Sequence, residues 1–533
     1  MRYLVKTDIN VKISYNSGDI YDAIEATLGF PKGEITSLEI LKKTLKLTDT
    51  PYYLLTVAFE VGREREAGLL KMRKRVFSHT PYTLDINSYR GKATPVVVGA
   101  GPAGLFSALY LALAGAPPIV LERGEAVEDR ERTVNDFLGG ARLNPESNIQ
   151  FGEGGAGAFS DGKLKVGSMD EFKSFVLREL VSAGAPEDIL YTVGAHLGTD
   201  KLPSIVKNVR EKIKSLGGRF IFRAKLKDLI IKDGNTVGIT YERDGQTVTL
   251  DTDTVILATG HSARDTYGML YRHGVPMVAK GFGVGVRLEH PREYINKLIY
   301  GNASLADTVG TASYHLVTHL KGGRSLYSFC MCPGGTVVTA TSEEGSVVTN
   351  GMSEYARMAE NSNAAHLISV TPEDFGSDHP LAGIEYQRKI ERLAYLAGGG
   401  DFRAPAISVA DFLSGKNPTD TETDRVRPSY QIGTTPCRPE RYLPDYITDG
   451  IREGFADYEA YLPGFIIGDA VMTGAETRTT SPVRILRDEK TRECLTVRGL
   501  YPAGEGAGYA GGIISSATDA VRTAYAICQS LPL

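Results

Sequence analysis

Cysteine is scarce, with five in 533 residues, which points to a reducing compartment and away from a disulfide scaffold. Charge of one sign is not in excess either. With 60 basic and 64 acidic residues the formal net charge is −4, so nothing electrostatic argues for nucleic acid or an anionic membrane as a partner. The opening MRYLVKTDINVKISY lacks the apolar stretch of a secretory leader, and the cytoplasm is the expected location. Nine histidines stand without ligand spacing, so no metal site is expected. Internal repeats and low-complexity tracts are missing too. What is present is 42% hydrophobic, enough to core two to four domains of an ordinary globular protein.

The most informative segment is 94–123, TPVVVGAGPAGLFSALYLALAGAPPIVLER. It reads as strand, turn, helix and strand: a buried strand at 95–99, a helix over 103–114 closed by Gly115, and a second strand at 119–121. Gly99, Gly101 and Gly104 make GxGxxG. The first permits the tight turn, the second lets backbone approach a pyrophosphate, and the third lets helix pack on strand. Pro102 and Ala103 open the helix, whose free N–H groups can receive phosphate. Glu122, followed by Arg123, stands where a carboxylate can accept both hydroxyls of an adenosine ribose. The run from 95 to 121 carries no charge and is long enough to cross a bilayer. However, the three glycines, Pro102 and the Pro117–Pro118 pair would break a spanning helix.

The first ninety residues read as a small α+β unit, with strands at 2–4 and 53–61, a helical DIYDAIEATLGF and a strand-like SLEILKKTLKL. Such units carry no fixed function, and docking is the plain expectation. Helices and glycine loops fill 125–217. From Gly218 the pattern becomes a β meander whose DGN and RDGQ segments signal hairpin turns. Mixed structure with proline-rich loops follows from 262 to about 450, as expected of a separate cap. GFGVGVRLEHP at 281–291 has glycines at alternate positions but opens no helix, so it reads as a strand.

Two further pieces favour FAD over NAD as the bound dinucleotide. VILATG is an apolar strand ending in a turn of small residues, Ala258, Thr259 and Gly260. In GLYPAGEGAGYAGGIISSATDAVRTAYAI, a strand at 500–503 ends near Gly504 and Glu505, and a helix starts near Gly511, Gly512 and Ile513. The carboxylate can accept from ribityl hydroxyls, and the helix N-terminus can stabilise negative charge on a reduced flavin.

Together with QFGEGGAGAFSDGKL, HLGTDKL, FCMCPGG, NGMSEYAR and ETRTTSPVRI, these segments make the chain resemble the FAD-dependent dehydrogenase family of unassigned substrate, within the glutathione-reductase-like flavoprotein superfamily. The resemblance spans nearly the whole chain. Its one departure is Thr480 where serine is expected, which keeps the hydroxyl. The resemblance implies an α/β fold: a Rossmann-like FAD-binding domain (91–261 and 456–533) with an inserted α+β cap or substrate domain (262–455), and a ferredoxin-like domain (1–90). It also implies that a glycine-rich loop runs along the flavin, with Gly154, Gly155 and Gly157 giving close backbone approach and Ser160, Asp161 and Lys163 giving polar contacts. A loop whose SDGK is simply a turn is the alternative.

ETRTTSPVR is the candidate for the substrate side. Arg478 and Arg484 can fix an anion bidentately and Ser481 or Thr480 can orient it, although arginines commonly pair with carboxylates and Glu476 is near. Cys330 and Cys332 form CxC, in which an internal disulfide is strained. Buried small hydrophobes are the plainer reading of both. His261 can act as acid or base, or cap a loop.

The expected activity is that of an FAD-dependent oxidoreductase moving a hydride between flavin N5 and a small organic substrate, anions included. NAD(P)H is a candidate transient reductant without a Rossmann unit of its own. The alternative is a flavin-binding sensor or RNA-associated module, for which Lys42, Lys43, Lys46 and the KMRKR run at 71–75 are the basic clusters. Neither nucleic acid nor membrane is expected as partner, and the sequence leaves the oligomeric state open.

Overall fold

The computed structural model describes residues 2–72, 76–164 and 167–530. The chain is a mixed α/β protein. Its middle is a sheet of five short strands in the order Leu500–Pro502, Val255–Leu257, Val96–Val98, Ile119–Leu121 and Arg219–Ile221, every neighbouring pair parallel. Three of these strands read VVV, IVL and VIL because a parallel sheet is covered on both faces. Val97, Val120 and Ile256 point to the helical layer. Their neighbours Val96, Val98, Ile119, Leu121, Val255 and Leu257 point to the other side.

On the helical side, Pro102–Leu113 is apolar all round, with residues 103 to 112 all buried, and it lies against the C-terminal helix Ile513–Ser530. The opposite face is covered by the antiparallel meander Lys225–Lys232, Asn235–Arg243 and Gln246–Asp251. Its two turns, Asp233–Gly234 and Asp244–Gly245, hold both residues at positive φ, the mirror-image geometry that twisted hairpins favour.

The cap is a seven-stranded sheet, in the order Val317–His319, Ser325–Cys332, Asn361–Val370, Phe282–Pro291, Val471–Glu476, Ala404–Ser408, Thr434–Pro436. Only its last pair is parallel. Helix Asp445–Tyr461 packs on it through Ile447, Ile451, Phe455 and Tyr458, one stripe at helical spacing. The chain remains in this sheet to Glu476. The boundary drawn at 455/456 therefore falls inside helix Asp445–Tyr461, because the strand beyond it, Val471–Glu476, hydrogen-bonds to Phe282–Pro291.

The N-terminal unit has strands Leu38–Lys46, Tyr52–Gly62, Arg2–Lys12 and Phe77–Ser78 in that order, antiparallel, with helices Ser17–Leu28 and Arg63–Leu70. It docks through Lys43, whose N–H donates to the Tyr191 carbonyl at 2.8 Å and whose carbonyl accepts from Val193 at 3.0 Å. The Lys43 ammonium lies 4.3 Å from the Tyr53 ring, so this member of the basic cluster faces inward. Residues 73–75 of the KMRKR run lie outside the described residues. Among the described residues no helix is long and apolar enough to cross a membrane.

Candidate functional site

A cavity opens at the C-terminal ends of the parallel strands, between them and the cap. Backbone makes its inner wall. Gly99 has φ +102, and a Cβ there would lie 2.3 Å from the Ala258 carbonyl oxygen. At Gly104 a Cβ would lie 1.8 Å from the Gly99 oxygen, so that glycine packs the helix onto the turn and does not line the cavity. Gly101 differs from both. Its Cβ would meet nothing nearer than the Gly155 Cα at 3.7 Å, so the space beside it belongs to the cavity. Helix Pro102–Leu113 starts at Gly101 with no side-chain cap, which leaves first-turn N–H groups for a ligand.

Glu122 is buried at the end of its strand and lines the cavity. Its carboxylate already accepts the N–H groups of Ala100 at 2.7 Å, Gly124 at 2.9 Å and Gly152 at 3.0 Å, so it ties two loops together as well as facing the space. Arg123 pairs with Glu146 and Asp265 and lies 4.0 Å from the Phe151 ring.

The glycine-rich loop is shaped by a residue the sequence reading missed. Arg130, fully buried on helix Val127–Leu138, donates to the carbonyls of Asn148, Ile149, Gly152, Glu153 and Gly155 at 2.7–3.2 Å. One arginine on an amphipathic helix carries no sequence signal for that task. Burial pulls its guanidinium down to about 10. Gly155, Gly157, Ser160, Asp161 and Lys163 line the cavity, whereas Gly154, at φ +85, turns the loop from behind it. Burial pushes the Asp161 carboxyl up, but the Arg357 guanidinium 2.7 Å away holds it below its ordinary value.

Ala258, Thr259 and Gly260 form the next stretch of wall, and His261 beside them has a buried Nε2 with no partner. Its Nδ1 is 3.7 Å from Glu505. From the C-terminal end come Glu505, Gly511, Gly512 and Ile513. A Cβ at Gly511 or Gly512 would meet nothing within 4 Å. Gly504 stays behind the wall, where its N–H donates to Asp519 at 2.8 Å.

The cap supplies Phe329, Cys330, Asn350, Glu476, Arg478 and Thr479. Arg478 reaches the cavity with most of its donors engaged: Nε and the terminal nitrogens hold both oxygens of Glu391, Ser342 and Ser262. Glu391 also accepts from Arg264 at 2.7 Å. Burial works against the Glu391 charge, but the two arginines keep its carboxyl far below the ordinary range. Glu476 pairs not with Arg478 but with Arg287 on the neighbouring strand, at 2.6 and 2.8 Å.

The structure does not bring Ser481 or Arg484 to the cavity. Ser481 is buried against the Tyr267 hydroxyl at 3.1 Å. Arg484 is exposed, donating to the Gly508 carbonyl at 3.3 Å and lying 5.1 Å from the Tyr509 ring. Asn350, Glu476 and Thr479 are cavity residues that the reading of ETRTTSPVR passed over. Glu476 and Thr479 sat within the quoted motif, so the signal was there and the wrong members were chosen.

Residues 281–479, the cap sheet, match the family described as FAD-dependent protein, C-terminal domain-like. Over 532 residues the chain is 44% identical to an uncharacterized protein of Clostridium beijerinckii, covering 99% of this chain and 98% of that one. The chain belongs to that protein's family. Among solved structures it is similar to CmlS, a flavin-dependent halogenase, at 13% identity over 83% of this chain and 59% of that one, with a TM-score of 0.39. It is also similar to 3-ketosteroid-delta4-(5alpha)-dehydrogenase from Rhodococcus jostii RHA1, at 14% identity over 85% and 100% of the two chains, with a TM-score of 0.35.

Proposed function

We propose that this protein binds FAD in the cavity and is an oxidoreductase acting on a small organic substrate held against the cap wall. One observation carries the reading: a single cavity gathers lining residues from the segments at 98–103, 155–163, 258–263 and 503–516, with Gly154 and Gly504 behind the wall, and polar cap side chains face it. The residues fit the cofactor. The uncapped helix start at Gly101 suits a pyrophosphate, Glu122 suits ribose hydroxyls, and the bare backbone at 155–157 and 511–512 suits a flat ring. His261 belongs to the same wall, and its Nε2 is buried without a partner.

Bound there, the flavin supplies hydride chemistry at N5. The protein's own groups do the rest. The start of helix Ile513–Ser530, with no acidic residue in its first turn, presents a positive dipole end to the ring. Asn350 offers a hydrogen bond to the substrate from the cap, whereas the Thr479 hydroxyl is held by the carbonyl and N–H of Gly283. Arg478, oriented by Glu391, contributes positive field with little donor capacity left, so it favours an anion by charge more than by a bidentate grip. His261, next to Glu505, is placed to accept or return a proton. No feature of the cavity singles out NAD(P)H as electron donor.

Anaerobic mixing of the flavin-loaded protein with NAD(P)H and with small organic acids and alcohols tests the reading. Saturable bleaching of the flavin by at least one of them is expected. A bound flavin that no donor bleaches, and that no organic acceptor reoxidises after photoreduction, would overturn it in favour of a structural or sensory flavin.

A further inference from the structure

Cys330 and Cys332 end the strand Ser325–Cys332, and Cys330 lines the cavity while Cys332 is fully buried behind it. The chain is not straight between them. Cys330 has φ +41, and the register against Asn361–Val370 shifts between Phe329 and Cys332. A non-glycine residue at positive φ within a bulge is uncommon, and bulges re-aim side chains. Here the bend folds the second cysteine back on the first: the Cys332 thiol donates to the Cys330 carbonyl oxygen at 3.3 Å. The strain expected of CxC is thus met by backbone already bent toward closure.

Two cations converge on the same three residues. Arg287 donates to the Cys330 carbonyl at 3.0 Å and lies 3.9 Å from the Cys332 Sγ. Lys163 donates to the Met331 carbonyl at 2.8 Å. Glu476 offsets Arg287, but Lys163 has no ion-pair partner among the described residues, because Asp161 is taken by Arg357. A positive environment of this kind favours a thiolate. The neighbouring Cys332 thiol and the Arg287 guanidinium, opposed by burial, draw the Cys330 thiol below its ordinary value. The neighbouring Cys330 and burial push the Cys332 thiol up. The other three cysteines, Cys437, Cys494 and Cys528, are buried and line no part of the cavity.

We propose that Cys330 and Cys332 are a redox pair that exchanges two electrons with the flavin, an inference that rests on the reading of the cavity as a flavin site. In one direction the two thiols lose two electrons and two protons and join in an S–S bond, while FAD takes them up and becomes FADH2. In the other the S–S bond breaks, both sulfurs regain their protons and FAD is restored. Cys330, which lines the cavity, would be the sulfur that exchanges with the flavin, and Cys332 its resolving partner.

The flavin-loaded full chain, treated with diamide and freed of it, is split into two portions. The first is denatured in alkylating agent and mapped by mass, where a 330–332 disulfide is expected. The second is titrated anaerobically with dithionite. Wild type should consume two electron pairs per flavin, Cys332→Ser one, and Cys494→Ser two. Flavin bound, one electron pair consumed and both cysteines alkylated would overturn the inference alone. A chain that holds no flavin would overturn this inference and the proposed function together. The mass map of the wild type decides the matter even where Cys332→Ser fails to fold.

Discussion

The two walls of the cavity are built on opposite plans. The inner wall is backbone, with glycines at 99, 101, 155, 157, 511 and 512 and few side chains. The cap wall is side chain, and its charges are committed to one another before any ligand arrives: Arg287 to Glu476, and Arg478 with Arg264 to Glu391. Bare backbone leaves open space that suits the flat, phosphate-bearing ligand proposed above. Paired charges hold a fixed field and a rigid shape, and leave recognition to the neutral groups between them. On the proposed reading, the first wall would specify the cofactor and the second dispose the substrate.

Breaking the cap wall should have the largest effect. Glu391→Ala leaves two buried guanidinium groups without their shared carboxylate, and a loss of about 3–5 kcal/mol is expected in denaturant unfolding. An unchanged midpoint would mean the arginines find other partners.

Two glycines only three residues apart, Gly101 on the inner wall and Gly104 behind it, should part company. Gly104→Ala drives a Cβ into the Gly99 carbonyl and should cost about 1–3 kcal/mol. At Gly101 a Cβ meets no protein atom that close, so Gly101→Val should move stability by less than about 1 kcal/mol while flavin is lost. Equal destabilisation of both would show that Gly101 serves packing.

Acid should test the interior of the cap. Burial pushes His366 down to about 3 and His290 down to about 4, and neither nitrogen of His366 has a partner. An unfolded histidine takes its proton near pH 6.5 and these folded ones do not, so their contribution is intact above that pH and fades as it falls. The slope is about 1.4 kcal/mol per pH unit for each. His366→Phe should remove one such share between about pH 6 and 4, read from urea midpoints. A slope unchanged by the substitution would place the acid sensitivity elsewhere.

The smallest effect is expected at Arg484. It is exposed and off the cavity, so Arg484→Ala should leave flavin content and turnover within about a factor of two. Loss of turnover would restore it to the site.

The same contrast explains what could be read in advance. The inner wall is local: the 94–123 unit, the Asp–Gly turns at 233–234 and 244–245, and the strand–helix pair at the C-terminus appear where their residues predict them. Turn chemistry and apolar runs act over a few positions, so they survive in one dimension. The cap wall is assembled from distant positions. Glu476 stands two residues from Arg478 but is claimed by Arg287, because strand pairing brings 285–289 alongside 471–476. Arg130 could not be told from any surface arginine, since its five carbonyl partners lie 18–25 residues away on a loop that it folds. Ser481 and Arg484 were chosen for residue type. Proline at 482 and the short strand Val483–Ile485, paired with Met277–Ala279, carry them away from the cavity.

Flavin retention by paired samples tests the central claim most directly. Wild type and Gly101→Val, each incubated with FAD, freed of excess and compared by visible absorption and by thermal midpoint, should show one flavin per chain for the first, none for the second, and midpoints that agree in the absence of FAD. A wild-type chain that stays colourless after reconstitution would contradict the account.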